Sequence, residues 1–192
     1  MDNPGSEIVG PMFAQAAVFV FKSDSTVSKA MEDVKNMNDK QGGIRGEIHC
    51  DKASFLDGLQ RWNSQVDPTS AFLCIYSHAG ISGIAAAPDG PIVTWEEIAA
   101  ALPKSVQYLW LLGCDTSAAI DAWKDRSPVL HRILVTTEGA PWRPFLKFFA
   151  YEISATSITF DDEMHAALTK VSPAMAASTT YFDGRFRRVP HV

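Results

Sequence analysis

The sequence predicts an α/β fold: a largely parallel sheet of about six strands with helices on both faces, a three-layer sandwich. Two apolar runs carry most of that prediction. Ala71-Phe-Leu-Cys-Ile-Tyr-Ser77 runs into His78-Ala79-Gly80, and Val106-Gln-Tyr-Leu-Trp-Leu-Leu-Gly113 runs into Cys114-Asp115-Thr116. Nearly continuous apolar stretches of this length suit strands buried on both faces of a parallel sheet. The third observation is the segment between them. Thr94-Trp-Glu-Glu-Ile-Ala-Ala-Ala-Leu102 reads as a helix, with capping-box spacing from Thr94 to Glu97 and Pro103 as its stop. Strand, helix, strand implies a right-handed crossover and parallel neighbours. Parallel strands end on one edge of the sheet, and at that edge open α/β folds bind ligands. His78 and Cys114 are therefore expected across a shared crevice, a base beside a thiol.

The remaining elements follow in order. Residues 1–14, with Pro4, Gly5, Gly10 and Pro11, read as a flexible N-terminal arm. Ala16-Ala-Val-Phe-Val-Phe21 is a first core strand. Ser25 to Lys40 carries Val27, Ala30, Met31, Val34 and Met37 at helical steps. Gly42-Gly43 closes that helix, and Ile44 to Cys50 is a weaker strand nearer an edge. Phe55 to Val66 is a second helix with Phe55, Leu59, Trp62 and Val66 on one side. Asp67-Pro68-Thr69 is a turn. Beyond Cys114, Ala118 to Trp123 forms a short helix, and His131 to Thr137 is the next strand. Pro144 to Ile153 and Asp161 to Val171 read as helices, and Thr179 to Phe182 as an edge strand. Arg185-Phe-Arg-Arg188 opens a basic tail over 185–192, which leaves 15–184 as a single domain. No internal repeat or low-complexity segment interrupts it.

Composition narrows the function. A net charge of −5 argues against an electrostatic nucleic-acid binder, which would present a basic face. No apolar run approaches the ~18 residues of a membrane span. The start, Met1-Asp-Asn-Pro-Gly-Ser-Glu, lacks the basic and apolar regions of a signal peptide. Three cysteines (Cys50, Cys74, Cys114) without CxxC spacing do not make a disulfide scaffold. The expected setting is the reducing cytoplasm, where a free thiolate persists.

An apolar strand ending in a His-Gly-like element, followed by an apolar strand ending in Cys, resembles the caspase-like (clan CD) cysteine peptidases. That superfamily includes caspases, metacaspases, separases and the bacterial CHAT-type proteases. The CHAT-type branch is the most similar, because Gly83-Ile84-Ala-Ala-Ala-Pro-Asp-Gly-Pro-Ile-Val-Thr94 resembles its short hairpin leading into a helix. The resemblance covers Ala16 to Lys170, and its two diagnostic motifs only about a dozen residues. One departure is plain: the family has His followed directly by Gly, and here Ala79 stands before Gly80.

The resemblance implies a cysteine endopeptidase acting on a protein substrate, with a regulatory or activating partner protein and no cofactor. In it Cys114 is the nucleophile and His78 the base, as the chemistry requires: a thiol is little ionised at neutral pH and needs an imidazole to take its proton. The Ala79 and Gly80 amides, with that of Cys114, are candidate oxyanion donors. Glu138, Trp142 and Arg143, at the exit of the next strand, are expected to line the substrate cleft with Asp115. Asp115 and Glu138 favour a basic residue before the scissile bond and Arg143 an acidic one; the balance tips to basic. Cys74, roughly 13 Å from His78 along one strand, is core and shares no metal with it. Cys50, beside His49, is expected to be structural. No local spacing supplies the three or four convergent ligands a zinc site needs. Two rivals stand beside this reading. One is a caspase-like domain without activity that serves as a protein–protein interaction module, supported by Ala79. The other is an amidotransferase-like thiol hydrolase, whose Gly two residues before Cys and His-x-Glu pattern are missing here.

Overall fold

In a computed structural model of the chain, which describes residues 15–25, 27–40, 44–63, 71–102, 106–123, 132–136, 162–183 and 187–189, the apolar runs become strands. They appear as β1 (Gln15–Phe21), β2 (Ile44–His49), β3 (Ala71–Gly80), β4 (Gly83–Ala85), β5 (Ile92–Thr94), β6 (Val106–Leu112), β7 (Arg132–Thr136), β8 (Thr179–Asp183) and β9 (Arg188–Val189). The helices are α1 (Val27–Lys40), α2 (Lys52–Asn63), α3 (Trp95–Ala101), α4 (Ala118–Trp123), α5 (Asp162–Val171) and α6 (Pro173–Ser178). The strands form one sheet in the order β2-β1-β3-β6-β7-β8-β9, with β4 and β5 as a hairpin branching from β3. The first five are mutually parallel, and β8 and β9 are antiparallel additions. The mixed α/β class with a mostly parallel sheet is thus as expected.

Chain direction fixes the layers. The step from β1 through α1 to β2 moves one way along the sheet, and the step from β3 through α3 to β6 moves the other. Right-handed crossovers then put α1 and α3 on opposite faces. On the α3 face Phe19, Phe21, Ile75, Leu109 and Leu111 pack with Phe55, Leu59 and Trp62 of α2 and with Trp95, Ile98 and Trp123. On the other face Val18, Val20, Phe72, Cys74 and Trp110 are also buried. There α5 covers β8 through His165, whose ring meets Tyr181 edge-on at 5.9 Å. Burial on both faces is why these strands read as continuous apolar runs.

Two expectations change. Thr179–Asp183 is not an edge strand, because β7 flanks it on one side and β9 on the other. Arg188, assigned to a basic tail, pairs with Phe182 in β9. Arg187 donates its backbone N–H to Asp183 Oδ1 at 2.9 Å, and its guanidinium reaches Asp183 Oδ2 at 2.7 and 2.8 Å. The predicted helix over 144–153, residues 1–14 and Glu138, Trp142 and Arg143 lie outside the described residues.

His49 closes β2 and is buried between Phe19, 5.2 Å away by ring centroids, and Phe55, at 5.9 Å. Its Nε2 approaches Glu47 Oε2 at 3.2 Å but without hydrogen-bond geometry. Burial lowers its pKa from 6.5, and the pull of Glu47 only partly offsets this. Arg61 lowers it further and Asp51 raises it. A histidine held neutral in the fold but free to charge when unfolded contributes stability above its unfolded pKa. That stability is lost as pH falls through the lower folded value. Melting curves between about pH 7 and pH 5 should therefore show a steeper loss of Tm for the native chain than for His49→Gln. Parallel curves would show that His49 does not carry the acid sensitivity.

Candidate active site

Strand order reverses between β1 and β3, and both end on the same edge of the sheet. Such a switch point opens a crevice at the carboxyl ends of the strands, where α/β folds hold ligands. Three polar groups gather there: Lys22 and Asp24 just past β1, and His78 near the end of β3. Cys114 emerges two residues past the end of β6, exposed to solvent.

Strands β3 and β6 stay in register to their exits. Their last pair is Tyr76 with Leu112, and His78 and Cys114 each come two residues after it. Gly113 shows that the chains are still in contact there. A Cβ on Gly113 would lie 2.7 Å from the Ser77 carbonyl oxygen and 2.8 Å from the Ala79 Cβ. Adjacent strands run about 4.8 Å apart, close enough for the two side chains to meet. Cys114 is also one of the groups that raise the Tyr76 phenol, after burial and Asp24. His78 and Cys114 are not hydrogen-bonded to each other; the His78 ring meets Asp24 and Lys22 instead.

Two buried threonines hold the turn that carries Cys114. Thr136, at the end of β7, donates its hydroxyl to the Gly113 carbonyl, and its oxygen lies 3.3 Å from the Gly113 N–H. Its own N–H donates to Thr116 Oγ1 at 2.8 Å, and that hydroxyl donates to Leu111 O at 2.9 Å. Both side chains are almost wholly out of water, so these bonds have no solvent competitor. Asp115 turns the chain with φ +52, a left-handed conformation that Asp tolerates better than most residues. Its Oδ1 accepts from Ser117 Oγ at 2.5 Å.

The ring of His78 is engaged at Nε2, which lies 2.5 Å from Asp24 Oδ2. The Lys22 ammonium sits 3.4 Å from the same oxygen and 3.3 Å from Nε2. It also lies 5.2 Å from the centroid of the Tyr76 ring, a cation–π contact. Lys22 is only 5 % exposed, and a buried ammonium is tolerated where such partners surround it. Sequence reasoning missed both Lys22 and Asp24. The available signal was a lysine directly after six apolar residues, at the carboxyl end of a core strand.

Comparison with known protein-family models and with curated proteins finds no match.

Ala79 and Gly80 continue β3 and pair with Ile84 and Gly83 of β4. The Ser23 N–H donates to Ala86 O at 2.9 Å, so the hairpin lies over the β1 exit. Successive amides of a strand point to opposite edges. Of Ala79 and Gly80, one amide therefore faces β4 and the other faces the β6 side, where Cys114 emerges. The capping box of α3 is present: Glu97 N–H reaches Thr94 Oγ1 at 3.2 Å and Thr94 N–H reaches Glu97 Oε2 at 2.9 Å. Trp95 Nε1 donates to Ile81 O at 3.1 Å and Trp123 Nε1 to Trp95 O at 2.7 Å. These bonds fasten the hairpin turn to α3, and α3 to α4.

Cys74 is buried, and burial raises its thiol well above the usual value, as suits a core residue. Cys50 lies exposed just past β2 and so packs no core. Among the described residues no three His, Cys, Asp or Glu side chains gather as metal ligands do, and no helix is long and apolar enough to cross a membrane.

Proposed function

We propose that the protein is a caspase-like cysteine endopeptidase with a His78/Cys114 dyad. The observation that carries this reading is the contact between the β3 and β6 exits, with Gly113 pressed against Ser77 and Ala79. The order of His strand, hairpin, capped helix and Cys strand also supports it. In the reaction His78 takes the Cys114 proton as the sulfur attacks the scissile carbonyl. Amides at Cys114 and at Ala79 or Gly80 receive the developing oxyanion. The C–N bond breaks as the imidazolium gives its proton to the leaving amine, which leaves a thioester. His78 then deprotonates a water that attacks the thioester, releasing the acid and restoring the thiol. No cofactor enters these steps, and the reducing cytoplasm keeps the thiol available.

The substrate carries a basic residue before the cut. Asp115 adjoins the nucleophile in the chain, and a carboxylate binds guanidinium by charge-assisted hydrogen bonds. Profiling the purified chain on a peptide library tests both statements. Cleavage after Lys or Arg is the expected result. Cleavage after Asp or Glu would reverse the specificity, and absence of any cleavage would favour the rival reading of an inactive interaction module.

A further inference from the structure

We propose that Asp24 is a positioning residue that fixes the tautomer of His78, with Lys22 holding Asp24 in place. The inference rests on the peptidase reading for its catalytic meaning, and on geometry for its substance. Two groups compete for one ring nitrogen. Asp24 Oδ2 is 2.5 Å from Nε2 and accepts only if that nitrogen carries hydrogen. Lys22 Nζ is 3.3 Å from the same nitrogen and donates to it only if that nitrogen carries a lone pair.

Distance and charge decide between them. The carboxylate contact is shorter by most of an ångström, and hydrogen bonds to an ionised acceptor are roughly twice as strong as neutral ones. Nε2 therefore carries the hydrogen and donates it to Asp24. Lys22 finds its own acceptor in the same carboxylate, at 3.4 Å, and its third contact in the Tyr76 ring. The lone pair of neutral His78 is then on Nδ1. That atom is the ring nitrogen nearer the backbone, and His78 and Cys114 each lie two residues past the last pair of β3 with β6, Tyr76 with Leu112. The proton that moves in catalysis is the one exchanged between Cys114 Sγ and Nδ1, while the Nε2 proton stays with Asp24. The charged groups that meet the ring are Lys22 and Asp24 from the β1 exit, and Asp24 and Cys114 both act on the neighbouring Tyr76 of β3.

The test begins with the whole, unaltered chain labelled with ¹⁵N, reading the His78 ring by long-range proton–nitrogen NMR above its titration. Hydrogen on Nε2 is the expected result; hydrogen on Nδ1 overturns the proposal whatever the activity. Asp24→Asn should then shift the ring toward the other tautomer. Its kcat should fall by about 10²–10⁴-fold with little change in KM, as for loss of an orienting aspartate. Asp24→Glu should regain part of the rate, which a purely structural role would not predict. An unchanged tautomer and kcat in Asp24→Asn contradict the proposal. If the unaltered chain shows the Nε2 hydrogen but cleaves no peptide, the peptidase reading fails and the positioning geometry stands.

Discussion

Replacing Cys114 by alanine is expected to abolish peptide cleavage, a loss of about 10⁶-fold where the nucleophile acts as one unit with its base. His78→Ala should cost about 10²–10⁴-fold, the range of a lost general acid–base group. The double variant should be no worse than Cys114→Ala alone, because without sulfur the imidazole has no thiol proton to take. The other cysteines make the comparison specific. Cys50 is exposed beyond β2, and Cys50→Ala should change neither rate nor stability. Cys74 is enclosed in the sheet core, and Cys74→Ala should lower stability by about 1 kcal/mol while leaving kcat intact. Initial rates with a peptide found by library profiling, set beside melting curves, separate these outcomes. Cleavage at full rate by Cys114→Ala would refute the nucleophile.

Gly113→Ala is expected to damage both fold and activity. The new Cβ would meet Ser77 O at 2.7 Å, Ala79 Cβ at 2.8 Å and Thr116 Cγ2 at 3.3 Å. The first is backbone in the middle of a sheet, so the β6 exit must move instead. That movement breaks into the Thr136 bonds to Gly113 and carries Cys114 with it. Overpacking of this kind costs about 1–3 kcal/mol. Displacing a reacting group by about 1 Å costs on the order of 10²-fold in rate. Gly80→Ala gives the matching stability control, since a Cβ there meets nothing within 4 Å. Equal melting temperatures for the two variants would show that the close approach at Gly113 has been overstated.

The sheet was legible because its strands are buried on both faces and so read as unbroken apolar runs. The capping box at Thr94 and Glu97 and the helix Ala118–Trp123 were legible because their determinants are local. What escaped is long-range. Asp24 lies in Ser-Asp-Ser, which reads as an ordinary turn, and its partner is 54 positions away. Thr136 reads as the polar end of a strand, yet its hydroxyl serves a turn 23 positions earlier. Asp115 drew attention as a charge beside the nucleophile, whereas its backbone at φ +52 is what shapes the turn. Sequence pattern gives the period of burial, but which polar groups meet at a strand edge depends on strand order. The basic cluster at the carboxyl end likewise reads as a tail, yet Arg187 pairs with Asp183.

The most direct test of the dyad is the alkylation rate of Cys114, mapped by mass spectrometry so that exposed Cys50 serves as the internal reference. In the folded chain near neutral pH Cys114 should react faster than Cys50 and faster than Cys114 of the unfolded chain. His78→Ala should remove that advantage without changing the rate at Cys50. Equal rates at the two cysteines, or an advantage that survives His78→Ala, would contradict a thiol activated by His78.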